Sequence, residues 1–540
     1  MSIALGRPSW LGTPVDRVGG TAGPVPEAPG PDDPGTASAG SPDLRPMALL
    51  GTAAMCAVVI GAVLGGTAFV SSLPGAWYFG TPGGPLGSVS NSGKQAPVVA
   101  VFLVYGGLVL AVRAWLGLLR LLRAHRGVPV RRVVGVIALW VLPLLVAPPL
   151  FSRDVFSYAG QGEMVSHHID PYSYGTGVLG ATPFSLLPGT LWANTPSPYG
   201  PVFLAADGAA TSIAQHEVLP DLILLRLLEL GGLALVVGAL PTLARSAGRD
   251  PAEGVALGAA SPLVLTAFVG GAHNDALMVG LLVAGLAVAK RVGPVPGIVL
   301  CALAAGVKAP AILGVLFLGW NWARGASFWW RVFHTALAGV IATGTLAAAS
   351  TVSGLGWGWL TTLSAPDKVF TGVTPVDALS HLIVGAGIVA HVSLSLSSVA
   401  TVAGVVGLAG AALVGSWLLV RSPVMGSVRA LGLALLVLAL LGPILWAWYL
   451  TWGLVVLAPV AAGRLRRVVI ALTIVETFLG VSAFKGMVES LGASGVLPDL
   501  LLLVGILAVV LVPLGRAGRL EAPRLRWLWR GRAEVALTQS

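Results

Sequence analysis

Apolar stretches of membrane-spanning length recur along this chain from Met47 to Leu514, and they limit its possible folds more than any other feature. A helix needs about 20 apolar residues to cross a bilayer. The apolar runs are continuous and do not alternate with polar residues, which favours helices over a membrane β-barrel. The mean hydropathy is +0.87 and only 10% of the residues are charged, so a soluble globular domain is excluded. The sequence therefore predicts an all-α polytopic membrane protein.

The apolar runs predict about 14 transmembrane or half-membrane helices. Two pairs, at 296–323 and 428–463, contain runs short enough to be half-helices that meet at a break. The segment 199–215 is too polar for a span, so a helix lying along the membrane interface is predicted there. The spans are predicted near residues 47–71, 96–117, 133–150, 221–244, 255–269, 275–290, 296–307, 310–323, 328–350, 398–420, 428–445, 451–463, 467–484 and 498–514.

Basic residues fall in short clusters between the apolar runs, as they do in cytoplasmic loops. With the N-terminus inside, 25 of the 32 Lys and Arg residues lie on the cytoplasmic side and five lie outside. This charge distribution predicts a multi-pass plasma-membrane protein with both termini in the cytoplasm and the loop 151–220 on the extracytoplasmic face. It also accounts for the net charge of +10, so no nucleic-acid partner is expected.

Three regions follow from these patterns. Residues 1–46 are rich in Pro, Gly, Ser and Ala without apolar periodicity, which predicts a disordered cytoplasmic tail. Residues 47–514 form the transmembrane domain, with the extracytoplasmic active-site loop at 151–220. Residues 515–540 are predicted to be a basic cytoplasmic tail.

The longest polar interruption, from Phe151 to Pro201, is the predicted active-site loop. Arg153 and Asp154 directly follow an apolar run, so they are expected near the bilayer surface, at the depth of a lipid phosphate. Transfer of a sugar from a lipid phosphate to a hydroxyl requires a general base, and Asp154 is the candidate. The alternative is that Arg153 and Asp154 cap a helix at the interface. Glu163 and Asp170 are candidates for binding sugar hydroxyls or for fixing the loop.

Three further motifs are predicted on the same face. The run His273-Asn274-Asp275 follows two glycines and could either bind substrate or cap the next span. Lys308 interrupts an apolar run and could either bind a lipid phosphate or extend its amine to the interface. The aromatic cluster Trp446–Trp452 could stack on a sugar ring or belong to the interfacial aromatic belt. One histidine among scattered acids is not a specific metal signature, so a divalent metal cofactor is possible but not indicated.

With these residues in place, the chain resembles the GT-C superfamily of polytopic glycosyltransferases. Within it, the chain closely resembles the actinobacterial polyprenol-phosphomannose-dependent α-(1→6)-mannosyltransferases of lipomannan assembly. The residues that carry this resemblance lie in five stretches: Ser152–Tyr158, Asp170–Tyr172, Pro198–Pro201, Gly271–Asp275 and Trp448–Trp452.

The resemblance implies a GT-C fold and an inverting transfer of mannose from polyprenyl-phosphate-mannose to a lipid-anchored mannan acceptor. The acid of the first large external loop acts as base in the superfamily, and that role falls on Asp154 here. Many members carry this loop after the first span, often with two adjacent acids, whereas here it follows a third span and Asp154 has no acidic neighbour. The substrate-binding candidates are Arg153, Tyr158, Glu163, Asp170, Tyr172, Tyr199, His273, Asn274, Asp275, Lys308, Trp448, Tyr449 and Trp452.

Two rival interpretations stay open at the level of sequence. A transporter or a flippase for lipid-linked glycans would use broken helices and ionisable residues deep within its spans. The clear candidates for such residues are Arg113, Arg226, Glu229 and Glu476, while most polar residues lie in external loops, which favours an enzyme. A GT-C enzyme that uses another polyprenyl-phosphate sugar, such as arabinofuranose or glucose, is the second alternative.

The predicted orientation can be tested by cysteine labelling, after Cys56 and Cys301 are replaced by alanine. Single cysteines near residues 175 and 365 should react in intact cells with a maleimide that does not cross membranes, because these loops are predicted outside. Cysteines near residues 125 and 465 should react only after the membrane is permeabilised. Reaction at position 175 from the cytoplasmic side alone would move the candidate active site to the opposite face.

Overall fold

The computed structural model describes residues 42–65, 98–323, 325–363, 374–481 and 504–505. Within these ranges the chain forms helices and no β-strand, which confirms the predicted all-α class. Most of the predicted N-terminal tail, the predicted tail 515–540 and nearly all of the predicted span 498–514 lie outside the described residues.

Nineteen α-helices are found in the described ranges, and several of them are single turns. Shorter helical turns connect some of them: a π-helical turn at Leu265–Gly270 and 3₁₀ turns at Thr176–Leu179, Ala309–Ala311, Gly358–Leu360, Ala447–Tyr449 and Ala458–Val460. The α-helices are α1 (Arg45–Gly65), α2 (Val98–Ala124), α3 (Val130–Leu145), α4 (Asp154–Ser166), α5 (Pro183–Leu186), α6 (Thr190–Ala193), α7 (Pro201–Ile213), α8 (Val218–Ser246), α9 (Pro251–Gly258), α10 (Pro262–Val264), α11 (Asp275–Arg291), α12 (Pro294–Ala305), α13 (Ile312–Trp320), α14 (Phe328–Ser353), α15 (Pro375–Val389), α16 (Leu396–Met425), α17 (Ser427–Leu441), α18 (Leu450–Leu457) and α19 (Gly463–Leu479).

Five of the described helices, α1, α2, α8, α14 and α16, are long and apolar enough to cross a membrane. The pair Pro251–Gly258 and Pro262–Gly270 would make a sixth span, bent by 52°. The bend falls where Ser261 accepts a hydrogen bond from the Val264 N–H at 3.3 Å and Pro262 opens a new helical turn. Proline removes a backbone donor and clashes with the preceding turn, so the first helix cannot continue through it.

The two breaks predicted at 296–323 and 428–463 are present in the structure. Helix α12 ends at Ala305 before a turn that begins at Ala309, and α17 ends at Leu441 before a turn that begins at Ala447. The helix predicted over 199–215 is also present, as α7. Helix α15 was not predicted from the sequence.

The predicted active-site loop is largely helical rather than irregular. Its first helix, α4, begins at Asp154, whose backbone N–H donates to Ser152 Oγ at 3.1 Å. An acidic residue in the first turn is favourable because it complements the positive end of the helix dipole. Helix α4 packs against α7 so closely that a Cβ atom on Gly162 would lie 2.8 Å from the Asp207 carbonyl oxygen.

One buried arginine of α8 connects the two segments that lead into the site. Arg226 donates hydrogen bonds to the carbonyl oxygens of Leu145 at 3.2 Å, of Gly270 at 3.3 Å and of Ala147. These carbonyls lie at the end of α3 and at the end of the π-helical turn. The Leu150 N–H also donates to the Gly270 carbonyl oxygen, at 3.0 Å. Arg226 thereby fixes the points from which the chain continues to Asp154 and to His273.

Candidate active site

Asp154 and His273 face each other across a short gap, although they lie on separate segments of the chain. The Asp154 Oδ2 and His273 Nε2 atoms are 3.8 Å apart, which is too far for a direct hydrogen bond. The side chain of His273 is 2% exposed and that of Asp154 is 15% exposed. The carboxylate is therefore accessible from one side, while the imidazole forms the buried wall behind it.

The orientation of His273 is set by its own turn. His273 Nδ1 lies 2.8 Å from the Ala267 carbonyl oxygen, so Nδ1 carries the proton and donates it. The preceding residue, Ala272, has a φ of 50°, an uncommon value for a residue other than glycine. Burial lowers the pKa of His273 below its ordinary value, which favours the neutral ring. In that form, Nε2 presents a lone pair towards Asp154.

Burial raises the pKa of Asp154 above its ordinary value, because a desolvated carboxylate is less stable than the neutral acid. The nearby Lys308 and a hydrogen bond with Ser152 act in the opposite direction. A carboxylate with a raised pKa is a stronger base than an ordinary aspartate. This is the property required of a group that removes a hydroxyl proton.

Asp275, the first residue of α11, makes a buried ion pair with Lys308. Lys308 Nζ donates to both carboxylate oxygens of Asp275, each at 3.0 Å, and the Trp452 indole N–H donates to Oδ1. The Asp275 side chain is fully buried and that of Lys308 is 11% exposed. Lys308 is thus held at the break between α12 and α13 by a carboxylate, not by an extension of its amine to the interface.

Aromatic rings surround this ion pair. Lys308 Nζ lies 4.5 Å from the ring centroid of Tyr449, 5.5 Å from that of Trp452 and 5.9 Å from that of Tyr199. The rings of Tyr449 and Trp452 stack with their centroids 4.4 Å apart. These distances are within the range of cation–π attraction, so the aromatic side chains help to stabilise the ammonium group.

A second pair of rings borders the histidine. The Trp448 ring lies over His273 with a centroid distance of 3.9 Å, and Trp446 stacks on Trp448 at 5.1 Å and 4°. The predicted cluster Trp446–Trp452 therefore contributes to the site from both ends, with two rings beside His273 and two beside Lys308.

Tyr158 links α4 to the turn before α11. Its hydroxyl donates to Asn274 Oδ1 at 3.4 Å, and its ring packs edge-on against Tyr199 at 5.2 Å. Asn274 is fully buried, and its Nδ2 has no hydrogen-bond partner among the described residues. An amide donor aimed into a buried polar site is suited to a ligand oxygen.

Arg153 is the N-cap residue of α4 and its side chain is exposed. No acidic side chain pairs with it in the described part of the chain. Its guanidinium is near Gly189. A side chain at position 189 would place its Cβ atom 3.0 Å from Arg153 Nη1. Gly189 has a φ of 86°, so a turn that favours glycine approaches the arginine.

The remaining candidates make their described contacts with residues other than Asp154 and His273. Asp170 accepts from the Tyr172 N–H at 2.9 Å and from Ser173 Oγ at 2.5 Å, which stabilises its own turn. Tyr172 is buried with 6% exposure. Glu163 lies in the last turn of α4 and contacts His167 and His216. A role in substrate binding for these three residues stays a prediction.

Sequence reasoning assigned no role in the site to two groups that shape it, although it named Glu229 as a deep ionisable residue. Ser197 Oγ donates to Gln161 Oε1 at 2.9 Å, and Gln161 Nε2 donates to Ser157 Oγ at 3.1 Å, so this chain of polar groups joins α4 to the segment before α7. Glu229 accepts from the Leu277 N–H at 2.9 Å, which stabilises the first turn of α11. Glu229 follows Arg226 by three residues, so both lie on one helix face. This spacing was the sequence signal that could have indicated their shared structural role.

The chain matches two family descriptions that together cover most of its described residues. Residues 48–324 match "Alpha-(1->6)-mannopyranosyltransferase, N-terminal domain", and residues 376–513 match "MptB C-terminal domain". The first match contains Asp154, His273, Asp275 and Lys308, and the second contains the aromatic cluster.

Curated relatives agree with these matches. Alpha-(1→6)-mannopyranosyltransferase A of Mycobacterium tuberculosis is 34% identical over 379 residues, which is 68% of this chain and 72% of the relative. A probable alpha-(1→6)-mannopyranosyltransferase of Mycolicibacterium smegmatis is 31% identical over 73% of this chain and 77% of its own length. Alpha-(1→6)-mannopyranosyltransferase B of Corynebacterium glutamicum is 27% identical over 76% of this chain and 72% of its own length. No solved structure is significantly similar to the chain.

The buried ion pair predicts a coupled effect on stability. Lys308→Met and Asp275→Asn should each lower the melting temperature of the purified protein, since loss of one partner from a buried pair costs about 3–5 kcal/mol. The double variant should be more stable than the sum of the two changes predicts, because neither charge is left unpaired. Thermal unfolding in detergent measures all three variants.

Arg291→Met provides a matched control, since Arg291 is an exposed cation at the far end of α11. This change should leave the melting temperature nearly unaltered. Strictly additive losses in the double variant would contradict a direct interaction between Lys308 and Asp275.

Proposed function

This chain belongs to the alpha-(1→6)-mannopyranosyltransferase family, and from that premise we propose that it transfers mannose from polyprenyl-phosphate-mannose to an α-(1→6)-linked, lipid-anchored mannan. The reaction takes place at the extracytoplasmic face of the plasma membrane. Five apolar helices of spanning length, six with the bent pair, support a membrane enzyme. The family membership and the lipid-facing position predicted for Arg153 and Asp154 support this donor and acceptor.

The observation that carries the proposal is the gap between Asp154 and His273. Asp154 Oδ2 and His273 Nε2 are both hydrogen-bond acceptors, and they lie 3.8 Å apart. The single O–H of an acceptor hydroxyl can donate to one of them, and the carboxylate is the more exposed of the two. Asp154 is the general base, and the neutral His273 ring lies behind it.

The chemical step is a displacement at the anomeric carbon of mannose. The 6-hydroxyl oxygen of the acceptor forms the new bond to this carbon as its proton passes to Asp154. The bond from the anomeric carbon to the phosphate oxygen breaks, and polyprenyl phosphate leaves with the electron pair. One displacement inverts the configuration, so a β-linked donor gives an α-mannoside.

The leaving phosphate needs a cation, and two side chains are suited to it. Arg153 is exposed at the start of α4, where the helix dipole also favours an anion. Its planar guanidinium can bind two phosphate oxygens at once. Lys308 already shares its charge with Asp275, so it adds a second and weaker attraction from inside the site.

The polar contacts of α8 favour an enzyme over a transporter. Arg226 donates to three backbone carbonyls and Glu229 accepts from one backbone N–H, so both have structural partners. These two residues were among the deep ionisable groups that a transport pathway would need. Their roles in holding the helix ends weaken that argument for transport.

An Asp154→Asn change should abolish most mannose transfer without unfolding the protein. The amide has nearly the same shape but cannot accept the proton, and loss of one acid–base group typically costs about 10²–10⁴ in rate. The assay is transfer by the purified protein with saturating donor and acceptor, with the melting temperature measured in parallel. Polyprenyl-phosphate-glucose and polyprenyl-phosphate-arabinose test the alternative sugars.

Glu217→Gln is the matched control for this change, because Glu217 is an exposed acid that precedes α8 in the same region. Transfer should be preserved in this variant. Near-normal turnover in a stable Asp154→Asn protein would exclude Asp154 as the base, and failure of the wild-type protein to transfer mannose would overturn the proposed function.

The raised pKa of Asp154 predicts the pH dependence of transfer. The base form is lost when the carboxyl is protonated, so the rate should fall as the pH is lowered through this pKa. Because burial places the pKa above the ordinary 3.8, the fall should occur at a higher pH than for an exposed aspartate. Rates at low substrate give kcat/KM, which reports the free enzyme. The melting temperature followed over the same pH range distinguishes titration of the base from acid unfolding. A rate that stays constant down to about pH 4, the ordinary pKa of an aspartate, would contradict the assignment of Asp154 as the base.

A further inference from the structure

Glu163, His167 and His216 form a compact cluster at the end of α4 remote from Asp154. Glu163 Oε1 lies 3.1 Å from His167 Nε2, and Glu163 Oε2 lies 2.7 Å from His216 Nδ1. The three candidate ligand atoms, one from each residue, are all within 4.8 Å of one another. One carboxylate therefore brings two imidazole nitrogens to the same point.

Two parts of the fold supply the residues of this cluster. Glu163 and His167 are four residues apart at the end of α4, so both side chains lie on one helix face. His216 comes from the turn between α7 and α8, where it has a φ of 62°. The two imidazole rings stack with centroids 5.1 Å apart and an angle of 29°.

The ligand types and their exposure are those of an open metal site. Two histidines and one glutamate are a known three-ligand set for zinc, which completes its coordination with water or another ligand. The side chains of His167 and His216 are 54% and 44% exposed, whereas that of Glu163 is 12% exposed. A metal ion could therefore enter from solvent and be held by a largely buried carboxylate.

A buried acid, Asp221, lies beside the cluster, and Asp207 is its neighbour. Asp207 and Asp221 are fully buried, and both oxygens of Asp207 and Oδ1 of Asp221 have no hydrogen-bond partner in the described ranges. The charge of Asp221 interacts with those of Glu163 and His216. Buried carboxylates are costly unless they are neutralised, paired or close to a metal ion. The carboxyl-terminal end of α4 also favours positive charge.

We propose that Glu163, His167 and His216 bind one divalent transition-metal ion of the zinc type. Glu163 is nine positions after Asp154 on α4, which corresponds to about 14 Å along the helix, so the ion does not take part in the transfer step. It joins the end of α4 to the turn between α7 and α8. Its effect is to stabilise the helix that carries Asp154 at its other end.

The test is metal binding by the full-length protein, purified without a histidine tag and stripped with a chelator. Zinc chloride is titrated calorimetrically, and cobalt chloride is used to record the visible absorption of a tetrahedral Co²⁺ site. The melting temperature is measured with and without Zn²⁺. The variants are His167→Ala, His216→Asn and Glu163→Gln, with asparagine chosen at position 216 because it tolerates the left-handed backbone.

His168→Asn is the matched control. His168 is an exposed neighbour of His167, has a φ of 58°, and is not part of the cluster. The wild-type protein and the His168→Asn variant should bind one equivalent of Zn²⁺, melt at a higher temperature with Zn²⁺, and give the tetrahedral Co²⁺ spectrum. Each of the three ligand variants should bind Zn²⁺ more than about 10-fold more weakly, since even loss of an outer-shell partner has an effect of that size.

Two outcomes would overturn the proposal. Absence of a stoichiometric site in the wild-type protein would show that the cluster is only a hydrogen-bonded group. Equal binding by the wild type and by well-folded His167→Ala and His216→Asn variants would place the metal elsewhere. The experiment does not depend on mannose transfer, so its result stands whether or not the proposed function is correct.

Discussion

Arg226 satisfies backbone groups that the apolar surroundings would otherwise leave unpaired, and the candidate site depends on it. A bend or break in a helix exposes carbonyl oxygens, and in an apolar interior each unsatisfied group is costly. The guanidinium has five donors in a fixed plane, so one side chain can bind several carbonyls at once. Arg226 uses these donors on Leu145, Ala147 and Gly270, where α3 and the π-helical turn end. The irregular segments that carry Asp154 and His273 therefore have a fixed starting point.

The sequence was most informative where one physical requirement dominates. Continuous apolar runs predicted the all-α class, and their interruptions predicted the breaks at Lys308 and before Trp446, because charges and prolines are rarely tolerated inside apolar helices. The same reasoning brought Asp154, His273, Lys308 and the aromatic cluster into one predicted site, and the structure has them as neighbours. These residues were recognisable because each interrupts an apolar pattern.

The sequence was less informative where the outcome depends on tertiary contacts. Helix α4, capped by Arg153, was considered only as the alternative, because its polar composition resembles a loop. Its stability comes from packing against α7 around Gly162. The pairing of Lys308 with Asp275 joins residues 33 positions apart, which no local pattern predicts. Glu163 was considered only for binding sugar hydroxyls or for fixing the loop, because the histidine from the α7–α8 turn lies 53 positions away. Long-range partners of this kind require the fold.

The ion pair of Lys308 and Asp275 holds a largely buried lysine in the site before substrate binds. The carboxylate and the rings of Tyr449 and Trp452 stabilise its ammonium group. Asp275 in turn has the Trp452 N–H and the N-terminal end of α11 in addition to Lys308. Because the carboxylate has these other partners, Lys308 can share its charge with an incoming phosphate without leaving Asp275 isolated. A site arranged in this way attracts an anion while its own charges stay balanced.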